Sequence, residues 1–168
     1  MTATHLDLSP SSHVDSFARD HLPPASQWPT FLFDRPEVQY PAQINAAHEL
    51  VDAQVLAGHG DRPALYGRNA GGVFCWTYAQ LRDKVDRIAQ VLTQEMGLVS
   101  GNRLLLRGGN SPMMAACWLA GVKAGLVLVP TMPLLRSAEL QQIIDKAQVQ
   151  AALCADSLAD ELQHCQDP

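Results

Sequence analysis

The feature that most constrains the fold is the segment PMMAACWLAGVKA, residues 112–124, which is apolar on nearly every side. Ser111 and Pro112 suit the cap and first turn of a helix, and Gly125 suits its end. This helix is too short to span a bilayer, which takes about 20 apolar residues. A helix that is apolar all round must be covered on every face, and its own sheet covers one. The opposite face must carry some of the following residues: Met113, Met114, Cys117 and Ala120. We expect no other segment of this chain to cover that face, so the sequence predicts part of a larger assembly.

Strands and helices alternate on both sides of this segment. Strands are predicted at Arg103–Arg107, at LVLVP and at VQAALCA, with a further helix over Ala138–Lys146 capped by Ser137. Short connections and uninterrupted apolar strands favour a parallel, right-handed sheet. The predicted fold class is therefore α/β, with a parallel sheet flanked by helices.

The first half of the chain adds a small hairpin and two helices. A helix is predicted from Asn45, its cap, to about Ala57, with Gly58 as its end. RPALYG and GVFCWTY read as two strands of a hairpin. The pair Thr77 and Gln80 forms a capping box that opens a helix reaching about Met96, before Gly97.

Residues 1–41 lack any sustained period and are rich in proline, serine and aromatic residues. We predict that they form an extended arm, which docks through Trp28, Phe31, Phe33 and Tyr40. Residues 42–168 are then one α/β subdomain, an incomplete part of a larger domain.

Charge and cysteine usage exclude several classes of function. The net charge is −5 and no long basic run occurs, so the electrostatic footprint of a nucleic-acid-binding protein is missing. The four cysteines form no C-x-x-C pair, which is typical of free thiols in a reducing cytoplasm and not of a zinc site. His48 and His59 share no ligand spacing. The N-terminal residues have neither a basic start nor an apolar run, so no secretory signal is predicted.

The turn Gly108-Gly109 lies between a strand and a helix, where many proteins bind a nucleotide phosphate. A P-loop would need a lysine and a hydroxyl residue that this turn lacks. A dinucleotide fingerprint would need three spaced glycines and an acidic residue after the next strand, which LVLVPTMP lacks. Ser111 uses one free N–H of the helix and Pro112 has none. We interpret the turn as a connection that Asn110 braces through local hydrogen bonds.

The ordered series CWTYAQL, RLLLRGGNSP, GVKAGLVLVP and RSAEL resembles the start of the large domain of AMP-forming acid–CoA ligases, the adenylate-forming superfamily. The arm HVDSFARDHLPPASQWPTFLFDRPEVQYP is similar to that of 2-aminobenzoate– and benzoate–CoA ligases. This resemblance implies the N-terminal subdomain of the ligase large domain, with the rest of the ligase chain as its partner. It also implies a cytoplasmic enzyme.

The reaction implied by the resemblance has two steps. A carboxylate attacks the α-phosphate of Mg-ATP, and coenzyme A then displaces AMP from the acyl-adenylate. The loop S/T-G-T-T-G-x-P-K, the segment G-x-T-E and the C-terminal lysine motif that serve this chemistry in the family do not occur here. No catalytic residue or metal ligand is therefore predicted, and we expect this chain alone to be inactive and to bind neither cofactor tightly. Arg136 is the one candidate binding residue, for a phosphate of coenzyme A.

Two alternatives stay open. The chain could be a truncated, non-catalytic interaction module that forms a homo-oligomer through the exposed apolar helix face. A small nucleotide-binding domain is the weaker alternative, since only the order strand, turn and helix supports it. Neither a nucleic acid nor a membrane is expected as a partner.

Overall fold

The computed structural model describes residues 10–33 and 35–165, and its centre is a three-stranded parallel sheet in the order β4-β3-β5. Its strands are β3 (Arg103–Arg107), β4 (Val127–Thr131) and β5 (Val149–Cys154). Leu105 in β3 pairs with Val129 on one side and with Ala152 on the other. β3 is buried along its whole length, as expected for a central strand covered on both faces. The predicted α/β class with a parallel sheet is confirmed.

The hairpin is also confirmed, with β1 (Pro63–Asn69) antiparallel to β2 (Gly72–Thr77). Before it, the π-helical turns His48–Asp52 and Val55–His59 follow Asn45. The Asn45 side chain accepts the amide hydrogens of Ala47 and His48, which confirms it as a cap. Gly58 has φ +81° in this segment, which places the end of the predicted helix.

The helices of the sheet unit are α2 (Tyr78–Gln90), α3 (Pro112–Lys123), α4 (Ser137–Ala147) and α5 (Ala159–Gln163). A π-helical turn, Val91–Glu95, extends α2 toward Gly97, as predicted. The Thr77–Gln80 capping box and the Ser111 cap are both present. The predicted cap of α4 is wrong by one residue. Arg136 precedes the helix and its N–H donates to Glu139 Oε2 at 2.9 Å.

α2 covers the face of α3 that is turned away from the sheet, so the prediction that no segment of this chain could do so is wrong. The stripe Leu81, Val85 and Leu92 packs in one core with Ala116 and Ala120 of α3. Since α2 is amphipathic, its apolar stripe needs a partner as much as α3 does. The main core therefore lies between α2, α3 and the sheet.

Part of α3 stays exposed. Met113 is 49% and Trp118 is 40% exposed, whereas Met114 and Cys117 are half-buried against the core. Ala120 is fully buried. Of the four residues expected on an uncovered apolar face, Met113 is exposed, whereas Met114, Cys117 and Ala120 are covered. The exposed Trp118 was not among the four.

The N-terminal arm docks through Asp15 and Phe17 instead of the four aromatic residues predicted to dock it. Asp15 accepts a hydrogen bond from Arg103 Nη1 at 2.5 Å, and its N–H donates to Ser100 O at 2.9 Å. The short helix α1 (Phe17–Asp20) follows, and the Arg103 guanidinium lies 4.5 Å from the centre of the Phe17 ring. The four predicted docking residues instead contact one another in the series Trp28, Phe31, Phe33 and Tyr40. Of these, Phe31, Phe33 and Tyr40 remain exposed.

Lys123, the lone charge of the apolar segment, ties three helical elements together. Its Nζ donates to Asp52 Oδ1 at 2.8 Å and to Asp86 Oδ1. Burial lowers the pKa of Lys123, but the two carboxylates outweigh it and raise the pKa above its usual value. Asn45 adds to this junction by donating to the carbonyls of Val122 and Lys123, at the end of α3. Within the described ranges, each helix falls short of the length and hydropathy that a bilayer crossing requires.

Candidate functional site

The carboxyl ends of the three parallel strands meet at one edge of the sheet, which is where ligands bind in open α/β folds. Three connections start here. Gly108-Gly109 follows β3, residues 132–136 follow β4, and Ala155 with a short 3-10 turn, Asp156–Leu158, follows β5. Arg136, the residue that the sequence nominates for phosphate binding, lies at the end of the second connection. We call this edge with its three connections the carboxyl edge.

Arg107, the last residue of β3, lies beneath this edge with only 1% of its surface exposed. Its guanidinium donates to backbone oxygens of Met132 (3.0 Å), Pro133 (3.1 Å) and Leu135 (2.8 Å). A fourth bond, of 3.3 Å, goes from Nε to Leu158 O. In the described part of the chain, no ion pair involves Arg107. Its charge is therefore compensated by carbonyl dipoles from two different connections.

Arg136 stands on the outer surface of the edge, and its side chain is 78% exposed. Nη1 donates to Glu161 Oε1 at 2.6 Å, and Ser137 N–H donates to the other carboxylate oxygen at 2.9 Å. The Arg136 side chain and this N–H hold the pKa of Glu161 below its usual range, while Glu161 raises the pKa of Arg136. Arg136 is thus a solvent-facing cation whose guanidinium is paired with Glu161, with the Glu139 carboxylate nearby.

The Gly108-Gly109 turn offers no cradle for a phosphate. Ser111 Oγ accepts the N–H of Met114 at 3.1 Å, and Pro112 has no N–H to donate. The side of Gly108 where a Cβ would lie is filled by Met114, although Gly109 faces open space. These contacts fit the interpretation of the turn as a connection.

Thiols and imidazoles do not build a second centre near the edge. Burial is the main cause that raises the pKa of Cys154 and Cys165, with the charge of Arg107 acting in the opposite direction. Such thiols are poor nucleophiles. His48 lies 3.2 Å from Asp52, and His59 lies 3.3 Å from Gln54. Across the residues that the structure describes, no group of three or more His, Cys, Asp or Glu side chains could hold a metal ion.

Two shallow surface grooves lie away from the carboxyl edge. One, of about 440 Å³, runs past Trp76, Asp83 and Lys84 on the outer side of α2. The other, of about 460 Å³, lies between the arm and the end of α3, beside His13 and Ile44. Neither groove is lined by Arg107 or Arg136, so neither one extends the candidate site.

The amino edge of the sheet carries a second buried arginine, Arg103, which is 3% exposed. Besides Asp15, it donates to the backbone oxygens of Ala147 (2.9 Å) and Gln148 (3.0 Å). Sequence reasoning missed the role of both arginines of RLLLR. The available signal was a pair of charges four residues apart at the two ends of an otherwise apolar strand, which places one guanidinium at each edge of the sheet.

The chain matches one known protein family over most of its length. The model of the family described as "AMP-binding enzyme" matches residues 52–168, well over half of the chain. The chain belongs to the AMP-binding enzyme family. Within it, acetyl-coenzyme A synthetase from Mycolicibacterium smegmatis is 31% identical over 116 residues, covering 68% of this chain. The matched part is 12% of that synthetase's length, so this chain spans only a small share of the curated relatives it matches.

Solved structures share the fold of this AMP-binding enzyme chain. Brucella canis acyl-CoA synthetase superposes with a TM-score of 0.68 at 18% identity, covering 74% of this chain and 22% of that one. A benzoate CoA ligase from Burkholderia xenovorans gives 0.62 at 20% identity, over 72% and 23%. At these identities the likeness concerns the fold alone. It confirms the predicted adenylate-forming ligase N-terminal architecture but not a special closeness to aryl–CoA ligases.

Proposed function

We propose that this chain is the N-terminal part of an ATP-dependent, AMP-forming acid–CoA ligase of the cytoplasm. The single observation that carries the proposal is the family match over residues 52–168. The acetyl-coenzyme A synthetase relative, which is 31% identical over 116 residues, supports coenzyme A as the acceptor. The remainder of the ligase chain would then be the partner of this subdomain.

The residues of this chain contribute structure and one binding group to that reaction. Mg-ATP would supply the α-phosphate that activates the acid, together with the metal ion. We propose that later parts of the ligase bind it, because Ser111 and Pro112 leave few free N–H groups at the Gly108-Gly109 turn. Arg136 fits the second cosubstrate better, since it is an exposed guanidinium at the carboxyl edge. We propose that it contacts a phosphate of coenzyme A, for which Glu161 leaves further donors of the guanidinium free to bind.

The acid that the ligase activates is a finer proposal. The likeness of the arm to 2-aminobenzoate– and benzoate–CoA ligases favours an aromatic acid, whereas the curated relative above is an acetyl-coenzyme A synthetase. Within the arm, Phe31 stacks on Phe33 with ring centres 5.4 Å apart, and Trp28 meets Phe31 edge to face at 6.2 Å. We therefore place aromatic acids first and short or medium-chain acids second.

The test is acid-dependent exchange of labelled pyrophosphate into ATP by the product of the complete reading frame that contains these residues. Acetate, a medium-chain acid, benzoate and 2-aminobenzoate are compared, with the 168-residue chain assayed beside it. We expect exchange from the complete product with benzoate or 2-aminobenzoate, and none from the 168-residue chain. Tight calorimetric binding of ATP or coenzyme A by this chain alone would contradict the proposal, as would a complete product that forms no AMP with any acid.

A second candidate is a non-catalytic module that pairs with a copy of itself. The exposure of Met113 and Trp118 on α3 favours it, because both are large apolar side chains on a helix whose other apolar residues are buried or half-buried. A reading frame that stops directly after Pro168 would support this candidate. One that continues into a T-T-G-x-P-K loop would support the ligase.

A further inference from the structure

Arg107 raises a question that core packing does not answer. It belongs to the largest fully buried side chains of the described structure, yet it carries a charge and has no carboxylate partner there. Burying an ion costs free energy, which an apolar residue at the same place would avoid. The benefit must therefore lie in what its N–H groups bind.

Three of the four acceptors belong to residues 132–136, the connection between β4 and α4. Among the described hydrogen bonds, the backbone of this connection supplies one of its own, from Leu135 N to Met132 O at 3.2 Å. Pro133 inside the connection has no N–H to add another. The conformation of this segment therefore depends on the guanidinium beneath it.

The fourth acceptor links the same guanidinium to the other side of the edge. Leu158 O directly precedes α5, and α5 carries Glu161, the partner of Arg136. Leu135 O, the acceptor at 2.8 Å, directly precedes Arg136 in the chain. One buried side chain thus holds the backbone directly before Arg136 and the backbone at the start of the helix that carries its partner Glu161.

We propose that Arg107 is the positioning residue for Arg136: it fixes where the exposed guanidinium stands at the carboxyl edge, and so sets the affinity for a phosphate-bearing cosubstrate. The identity of the ligand rests on the proposed function. The positioning of Arg136 by Arg107 does not depend on it. Arginine is required because its planar fork reaches several carbonyls at once, whereas a lysine ammonium is a compact donor on a flexible stem.

The first test measures amide hydrogen exchange in the 168-residue chain by NMR. The amides of Leu135, Arg136 and Ser137 are hydrogen-bonded to Met132 O, Glu139 and Glu161, respectively, so they have protection to lose. We expect Arg107→Lys to accelerate their exchange about tenfold while the amides of β3 stay protected. Arg103→Lys is the matched control. It should accelerate the exchange of Asp15, bonded to Ser100 O, and leave the 132–137 amides unchanged.

Two outcomes of this test overturn the inference. One is unchanged exchange of the three amides in Arg107→Lys. The other is loss of protection throughout β3 in both Arg107→Lys and the apolar variant Arg107→Met, because that would make Arg107 a residue of general stability.

The second test uses the complete ligase and separates KM from kcat. Arg107→Lys should raise the KM for coenzyme A about tenfold and leave kcat within about twofold. Because the residue acts through Arg136, the increase in KM should disappear in an Arg136→Gln background. An equal increase in that background, or an effect on kcat alone, would overturn the inference. If the wild-type ligase forms no AMP at all, the proposed function fails, and the exchange test still decides the structural part.

Discussion

At the scale of single residues, the two arginines of β3 show how a charge can be buried without a matching number of carboxylates. Arg103 combines one carboxylate, Asp15, with three backbone carbonyls, whereas Arg107 uses carbonyls alone. All the acceptors of Arg107, and all those of Arg103 except the neighbouring Gly101 O, come from segments distant in sequence. Each guanidinium therefore joins an edge of the sheet to segments that would otherwise be held weakly.

Asp15 carries a prediction about pH. The N–H of Phe17 and then the Arg103 guanidinium hold the pKa of its carboxyl below its usual range, against the effect of burial. A folded-state pKa below the unfolded value, about 3.9, means that this stabilisation is complete above that pH. It is lost as the pH falls through the lower folded-state pKa. We expect Asp15→Asn to lower the free energy of unfolding by about 1–3 kcal/mol at pH 7, and by less at pH 3.

Urea denaturation of both proteins at pH 7, 5 and 3 measures this difference. Asp61→Asn, at an exposed turn, is the control and should change the free energy of unfolding by less than about 0.5 kcal/mol. Equal stability of wild type and Asp15→Asn at pH 7 would contradict the prediction.

Most residue-level signals in the sequence were reliable where they act locally, although the cap predicted at Ser137 is wrong by one residue. Asn45, Thr77 with Gln80, and Ser111 cap their helices as predicted, because a cap depends on the few residues that follow it. Arg103 and Arg107 were missed since their acceptors are up to 88 residues away, and sequence spacing carries no sign of them. The single nominated site residue, Arg136, does lie at the carboxyl edge, and its role in binding stays a prediction.

At the scale of elements, the arm and the sheet meet where the backbone itself requires glycine. Gly101 has φ +90°, and a Cβ there would overlap the carbonyl of Asp15. Gly97 has a similar φ of +66°, but open space surrounds it. The two positions therefore share the backbone cost of an L-residue and differ in the contact with the arm.

This difference predicts that Gly101→Ala is more destabilising than Gly97→Ala. The second variant should cost about 1 kcal/mol, from the left-handed backbone alone. The first should cost about 1–3 kcal/mol more, because the arm must move away from the loop. Thermal and urea unfolding measure the free energies, and exchange of the Asp15 amide reports the arm. Equal costs with an unchanged Asp15 amide would contradict the docking of the arm at this glycine.

The order of the elements could be predicted from the sequence, but not all of their contacts. The spacing of the apolar residues and the positions of the turn residues indicated the hairpin and the alternating strands and helices. The packing of α2 on α3 was missed, because an amphipathic stripe reveals that a helix needs a partner without revealing which one. The docking role predicted for the aromatic residues of the arm was wrong for a related reason. Phe33 and Tyr40 contact one another instead of the sheet.

At the scale of the whole molecule, the remaining question is what covers the exposed part of α3. Met113 and Trp118 stay largely open although every other apolar residue of that helix is buried or half-buried. For a ligase, the cover would be a later part of the same polypeptide. For an interaction module, it would be a second copy. With either candidate, the isolated chain exposes apolar side chains here that a partner would cover.

We expect the 168-residue chain alone to self-associate and to bind an apolar dye, and Met113→Gln with Trp118→Gln to reduce both effects. Removing two large apolar side chains from the surface lowers the gain from burying it against another copy. Val73→Thr, at a 65% exposed position of the hairpin, is the matched control and should change neither effect. Sizing runs over a range of concentrations give the mass, and dye fluorescence gives the apolar surface. A wild-type chain that stays a monodisperse monomer without dye binding would contradict the prediction, and so would an equal reduction by Val73→Thr, because the self-association would then not arise from α3.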